Sequence, residues 1–225
     1  MTAKHTLPAD IERTSMQIIE EELKQRGIVV APENAAVVRR VIHTTADFDY
    51  ARNLCFTPDA VENGIQALQN GAAIVTDTNM ALAGISKPSL AALGTSAQCF
   101  MADAAVADAA KRAGTTRAVA AMRHAGEVCP EAIFAIGNAP TALLEICDLM
   151  QQHLLRPALV IAVPVGFVNV EESKERLFGA CTEQNIPCIA AMGRKGGSTV
   201  AAAICNALLY TATGRLDPSA RGWQG

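Results

Sequence analysis

Ala72-Ala73-Ile74-Val75-Thr76-Asp77 is a short apolar run that ends in a polar residue. Runs of the same kind follow at Ala97 to Met101, Ala132 to Ile136, Ala158 to Val163 and Cys188 to Ala191, and each leads through a loop into a helical pattern. The runs are near-continuously apolar rather than alternating, which is how strands read when both of their faces are buried. The repeated strand–loop–helix order predicts an α/β fold with a parallel sheet flanked by helices on both faces.

Upstream of the first run the periodicity is helical. Asp10 to Arg26 carries Ile11, Met16, Ile18, Ile19 and Leu23 on a roughly helical stripe, with Gly27 as its stop. Glu33 to about Thr45 reads as a second helix, with Ala36, Val37 and Val41 on one side. Thr57-Pro58-Asp59 reads as the start of a third, with threonine as N-cap, proline at the first helical position and an acid in the first turn. That helix is expected to run to Gly71. No linker rich in proline or serine interrupts the chain and no repeat is visible. The expected division is a loose tail over 1–9, one α/β domain over 10–214 and a polar tail over 215–225.

The chain has 225 residues, against roughly 150 for a typical domain. Half the residues are hydrophobic, yet only nine are Phe, Tyr or Trp, while 42 are alanine. Such a composition excludes disorder and a small disulfide-stapled scaffold, and it argues against a ligand held by ring stacking. A formal net charge of −3 makes a poor nonspecific nucleic-acid binder. The seven cysteines are irregularly spaced, with no CxxC, so they suggest neither a disulfide framework nor a metal site. They read as small core residues in a reducing compartment. Met1 to His5 lacks the apolar stretch of a signal peptide, and no run approaches the ~18 residues of a membrane span. A cytoplasmic protein without membrane, nucleic-acid, metal or cofactor requirements is expected.

In open α/β sheets ligands bind beyond the carboxyl ends of the strands. The residues there are Asp77-Thr78-Asn79, Asp103, Gly137-Asn138-Ala139-Pro140-Thr141, Pro164-Val165-Gly166-Phe167-Val168-Asn169 and Gly193-Arg194-Lys195-Gly196-Gly197-Ser198. The last loop joins a strand to an alanine-rich helix. Its glycines allow close backbone approach, the helix end attracts an anion, and Arg194 and Lys195 add positive charge. The loop lacks the GK[ST] ending of a P-loop, and an ordinary tight turn would also explain it. Asn138 is a candidate N-cap with Pro140 in the first turn behind it. Together the mouths predict a broad, amide-lined surface for a large ligand with several carboxylates; GxGxxG is absent.

Arg39-Arg40-Val41-Ile42-His43-Thr44-Thr45 places both arginines within one helical turn of His43. Cations beside an imidazole lower its pKa, and histidine is the side chain suited to moving protons near neutrality. The alternative is a helix-end histidine bonded to a carbonyl. His5, His124 and His153 lack such surroundings. Arg117, after Thr115-Thr116 at a helix start, opposes the helix dipole, so it serves either a carboxylate or only solvent.

Together these blocks carry a resemblance. Arg40 to Phe48, Asp77-Thr78-Asn79-Met80 with Gly84, Thr116-Arg117, Gly137 to Leu143, Pro164 to Asn169 with Ser173-Lys174-Glu175, and Gly193 to Ser198 occur in order across the chain. The sequence resembles the precorrin-8X methylmutases, or precorrin isomerases, of cobalamin biosynthesis, from about Ile11 to Leu209. The resemblance implies a homodimer whose cleft holds a corrinoid, and an isomerisation that moves a methyl group from carbon 11 to carbon 12. The product would be hydrogenobyrinic acid, or its cobalt complex. His43 matches the family's proposed proton donor, and Ser15 a serine near the substrate. The remaining substrate-binding residues implied are Arg40, Thr44, Asp77, Met80, Thr116, Arg117, Gly137, Asn138, Thr141, Gly166, Phe167, Val168, Lys174, Arg194, Gly196, Gly197 and Ser198. Contact with neighbouring pathway enzymes is also implied. Of the aromatics, Phe48 and Phe167 lie inside the motifs and are expected against the macrocycle. Two rivals remain at this stage, a non-catalytic corrinoid carrier and a nucleotide-dependent enzyme using the Gly193–Ser198 loop.

Overall fold

A run of apolar residues with no polar face can satisfy its backbone and still avoid water only inside a sheet covered on both sides. The apolar runs do this. In the computed structural model, which describes residues 7–221, six strands form one sheet. They are β1 (Leu54–Phe56), β2 (Ile74–Thr76), β3 (Ala97–Gln98), β4 (Ile133–Ile136), β5 (Leu159–Ala162) and β6 (Cys188–Ala191), in the spatial order β1-β6-β5-β4-β2-β3. Side chains of β2, β4, β5 and β6 are buried throughout.

The helices are α1 (Pro8–Gln25), α2 (Ala35–Thr45), α3 (Tyr50–Asn53), α4 (Ala60–Gln69), α5 (Asn79–Gly84), α6 (Lys87–Ala92), α7 (Ala104–Ala113), α8 (Arg117–Val128), α9 (Pro140–Gln151), α10 (Val170–Glu183) and α11 (Ser198–Ala212). Strand alternation sorts the core into two layers. Ile133 and Ala135 of β4 join one cluster with α1, α2, α4 and α11. Phe134 and Ile136 join the other with α7 to α10. Alanine lets the helices lie close: α11 buries Ala201, Ala202, Ala203 and Ala207.

The expected α/β class holds, with corrections. The sheet is mostly rather than wholly parallel, because β1 pairs antiparallel with β6, Leu54 opposite Ala191. Three residues between two helical stretches gave no readable period. The predicted strand over Ala97 to Met101 stops at Gln98, where the edge of the sheet leaves it one partner and Phe100 turns into a 3-10 turn. Thr57 does not cap α4: its hydroxyl accepts from the Cys188 amide at 2.8 Å, and the helix starts at Ala60 behind Asp59, which has φ +54. That helix ends at Gln69 rather than Gly71.

Both predicted tails shrink. The first helix begins at Pro8, whose fixed φ suits a helix start. Arg215–Arg221 folds back, through a 3-10 turn at Pro218–Arg221, onto α1. Residues 1–6, with His5, and 222–225 lie outside the described residues.

The topology also locates a crevice. From β2 the chain adds β3 on one side, then returns to β2's other side for β4. This switch point lies between the carboxyl ends of β2 and β4, where open α/β sheets usually take ligands.

Candidate active site

The switch point is filled by the protein itself. Asp77, directly after β2, is fully buried, and its carboxylate accepts from the amides of Gly137, Asn138 and Ala139 at 2.8, 2.8 and 2.7 Å. Those amides belong to the loop that leads into α9, whose N-cap position is Ala139 rather than the expected Asn138 and carries no side-chain cap; a carboxylate 60 residues away holds the loop instead. Burial pushes the Asp77 carboxyl above its usual range, against the pull of the three amides. Asp77 therefore holds the Gly137 loop in place. Beside it, Thr78 caps α5 and its hydroxyl meets that of Ser198 at 2.8 Å.

The Gly193–Ser198 loop is likewise committed inward. A Cβ at Gly196 would sit 2.1 Å from the Val163 carbonyl oxygen, and one at Gly137 would sit 2.8 Å from the Ser198 Cα. At these two positions glycine permits loop-to-loop packing. Lys174 is fully buried and donates to the carbonyls of Gly193 and Lys195 at 2.7 and 2.8 Å, so it fixes the loop. Burial pulls its ammonium down to about 8. The loop's own cations are paired too. Lys195 bridges Asp47 and Asp49, both at 2.6 Å, and Arg194 donates to Glu171 at 2.7 Å. What the loop offers outward is the start of α11 at Ser198, which no side chain caps, so the positive end of that dipole stays open. Gly197, at φ +131, makes the turn into it.

Next to this mouth stand Gly166, Phe167 and Val168. Phe167 is 83 % exposed, with the Arg194 guanidinium 5.6 Å from its ring centroid. Phe48 does not join it; its ring packs on the core under Arg26. Thr116 caps α8 and meets Thr141 at 3.2 Å, and Arg117 extends into solvent without a carboxylate partner among the described residues.

The histidine expected to handle protons lies at the end of α2. The His43 imidazole is open to solvent. Its pKa is lowered, first by partial desolvation, then by Arg40 and Arg221, against an opposing pull from Glu12. Arg39, the other expected cation, turns away to Glu20 at 3.2 Å. Arg40 is buried and bonds Glu12 of α1 at 2.7 Å. It also lines, with Thr44, Met80, Thr199, Asn206 and Tyr210, a hollow of about 250 Å³ between α2, α5 and α11. Thr44 donates its hydroxyl back to the Arg40 carbonyl. Ser15 lies one helical turn beyond Glu12 and donates to the Ile11 carbonyl.

Thus Arg40, Thr44 and Met80 line one hollow, His43 neighbours Thr44 on α2 without lining it, and Ser198 and Thr78 meet each other between the loop mouths. Glu12, Tyr210 and Arg221 were missed: nothing in local spacing links positions so far apart. A larger hollow of about 590 Å³ opens at the opposite, amino end of the strands, lined by Asn70, Arg156 and Asn185 among others. There α4 and α10 end and present carbonyls, the wrong polarity for carboxylates. Among the described residues no three His, Cys, Asp or Glu converge to hold a metal ion.

Known proteins share this arrangement of chain. A family profile described as precorrin-8X methylmutase matches residues 10–211. The cobalt-precorrin-8 methylmutase of Leptospira interrogans is 45% identical over 213 residues, covering 93% of this chain and 96% of that one. The cobalt-precorrin-8 methylmutase of Salmonella typhimurium is 44% identical over 207 residues, covering 90% and 95%. The crystal structure of a precorrin-8x methyl mutase from Thermus thermophilus superposes with a TM-score of 0.81 at 39% identity, covering 91% of this chain and 98% of that one.

Proposed function

Since the chain belongs to the precorrin-8X methylmutase family, we propose that it moves a methyl group from carbon 11 to carbon 12 of precorrin-8X or cobalt-precorrin-8. The product is hydrogenobyrinic acid or cobyrinic acid. The observation that supports this reading is the His43–Arg40 pair on α2, of which Arg40 lines the hollow: one side chain able to exchange a proton next to one able to hold a carboxylate. The rearrangement is internal to the substrate. No atom is gained or lost, and neither a reductant nor a nucleotide is needed.

In this reading the free enzyme disfavours the His43 imidazolium, first by partial desolvation, then through Arg40 and, more weakly, Arg221. A substrate carboxylate arriving at Arg40 offsets that positive field, so the imidazole takes a proton more readily once the pigment is bound. His43 then hydrogen-bonds or protonates a ring nitrogen near ring C and favours the rearranged tautomer. The loops around Ser198, Gly166 and Thr116, with Arg117, grip the carboxylates of the rim, and the fixed conformer of the ring supplies the orientation.

The 250 Å³ hollow falls below the ~300–1,000 Å³ of sites that bury drug-sized ligands, so it would take one edge of a macrocycle and its arms. A second copy of the chain supplies the rest of the cleft. Free cysteines fit a cytoplasmic setting, and no helix among the described residues is long and apolar enough to cross a membrane. Product would pass from here to the next enzyme of the pathway.

The test is His43→Ala, assayed for product by absorbance. A loss of about 10²–10⁴-fold in kcat with an unchanged fold is expected; near-normal turnover would overturn the acid–base role. A trace of wild-type protein should convert many equivalents of substrate, whereas a carrier would shift only a stoichiometric amount. Titrating the cobalt-free and cobalt-containing substrates separately shows which form is taken.

A further inference from the structure

The family match ends at residue 211, yet the chain continues and returns to the site. Gly214, at φ +67, reverses it after α11, and the turn at Pro218–Arg221 docks on α1. There the Arg221 guanidinium lies over the Tyr210 ring, 4.4 Å from its centroid, and donates to Oε1 of Glu12. Arg40 uses the same oxygen, at 2.7 Å, and lies 5.2 Å from the centroid of the same ring. Two guanidiniums therefore share one carboxylate, which leaves one net positive charge. The cluster is shielded: the side chains of Glu12, Arg40 and Arg221 are 16%, 11% and 8% exposed. Burial alone would raise the Glu12 carboxyl, but the hydrogen bonds from Arg221 and Arg40 hold it below its ordinary value. Arg221 Nε is buried with no acceptor among the described residues, so its positive character there is also uncompensated.

We propose that Arg221 is a positioning residue for the methylmutase reaction: by occupying Glu12 it keeps Arg40 from being neutralised, so that Arg40 meets a substrate carboxylate with its charge intact. Arg221 itself does not touch the substrate. Without it Glu12 would pair with Arg40 alone, and the wall that Arg40 and Tyr210 give the hollow would be electrically neutral. The same contacts tie α1, which carries Ser15, to α2, which carries His43. The inference rests on the reading of the hollow as the place where the substrate's rim is held.

The experiment compares KM and kcat for purified full-length variants on the corrinoid substrate, with thermal unfolding to check the fold. Arg221→Gln should raise KM about ten-fold, the size of one lost charge-assisted hydrogen bond, with kcat changed less than about two-fold. Arg221→Lys, which keeps the charge, should stay near wild type. The decisive variant is Arg221→Gln combined with Glu12→Gln. It removes both the cation and the carboxylate, leaves Arg40 charged, and should bring KM back to within about three-fold of wild type. A merely structural role for Arg221 predicts the opposite, a double variant at least as impaired as the single one, and that result would overturn the proposal. Should Arg221→Gln not fold, the double variant still decides. Arg40→Gln separates the two readings. A raised KM there, with none in Arg221→Gln, removes the role of Arg221 alone; an unchanged KM in Arg40→Gln removes the placement of the substrate itself.

Discussion

His43 owes its character to neighbours drawn from three parts of the chain. Arg40 is one helical turn away on α2, Glu12 comes from α1 and Arg221 from the C-terminal turn. With desolvation, the two cations outweigh the one carboxylate, so the imidazolium is disfavoured and the neutral form persists below the ordinary 6.5. A neutral resting imidazole gives a definite pH dependence. The free-enzyme profile of kcat/KM should fall as pH rises, with the midpoint of the limb below 6.5, because a proton donor must carry its proton before it can give it. Steady-state rates between about pH 4.5 and 8 would measure it; a profile that instead rises to a plateau would mean that the neutral imidazole is the required form. Half of this environment was legible, because Arg40 and His43 are neighbours by helical spacing. The other half was not: Glu12 and Arg221 are 209 positions apart, and only the packing of the C-terminal turn on α1 brings them together. The same limit applies to Arg194 and Lys195. Their charge was visible in the sequence, but not the carboxylates of Glu171, Asp47 and Asp49 that take it up.

The loop that leads from β4 into α9 shows how an element can depend on one distant side chain. Its three amides, at Gly137, Asn138 and Ala139, converge on the Asp77 carboxylate inside the crevice between β2 and β4. Asp77→Asn keeps the shape but turns one acceptor into an NH2 group facing backbone N–H. A loss of about 2–3 kcal/mol in unfolding free energy is expected, from charge-assisted bonds broken in a buried place. Denaturant titration would register it, and a stability change below about 0.5 kcal/mol would show that this carboxylate is dispensable. The position of α9 was readable from Pro140 and the apolar run before it, whereas its N-cap falls on Ala139 rather than Asn138, and the hold of Asp77 on the preceding loop is invisible to local spacing. The buried strands were readable for a related reason: β4, β5 and β6 are apolar on both faces, a pattern that short helices do not share. β1 was not, since three residues at an antiparallel edge, half-buried, carry too little period to stand out.

At the scale of the molecule the site is open on one side. The hollow at Arg40 has room for an edge of a corrinoid, with exposed Met80 in its lining, and Phe167 and Val168 stand exposed at the Gly166 loop. Leu7, Ile11 and Ile18 of the α1 segment are exposed as well, at spacings that put them on one face of the helix, with Ser15 at its border. Apolar side chains aligned in this way mark a surface that gains by being covered. A second copy of the chain laid along that face would bury the stripe, bring Ser15 to the rim of the cleft and close the pigment in. The expected solution mass is therefore twice that of the chain by sedimentation equilibrium, with a melting temperature that rises with protein concentration. Ile11→Asp combined with Ile18→Asp should yield a folded monomer with greatly reduced turnover, since a charge on each side of the stripe must be desolvated for the copies to meet. Full activity in a wild-type monomer would sink the two-copy cleft. Dimerisation that survives both substitutions would place the interface elsewhere and take Ser15 away from the substrate.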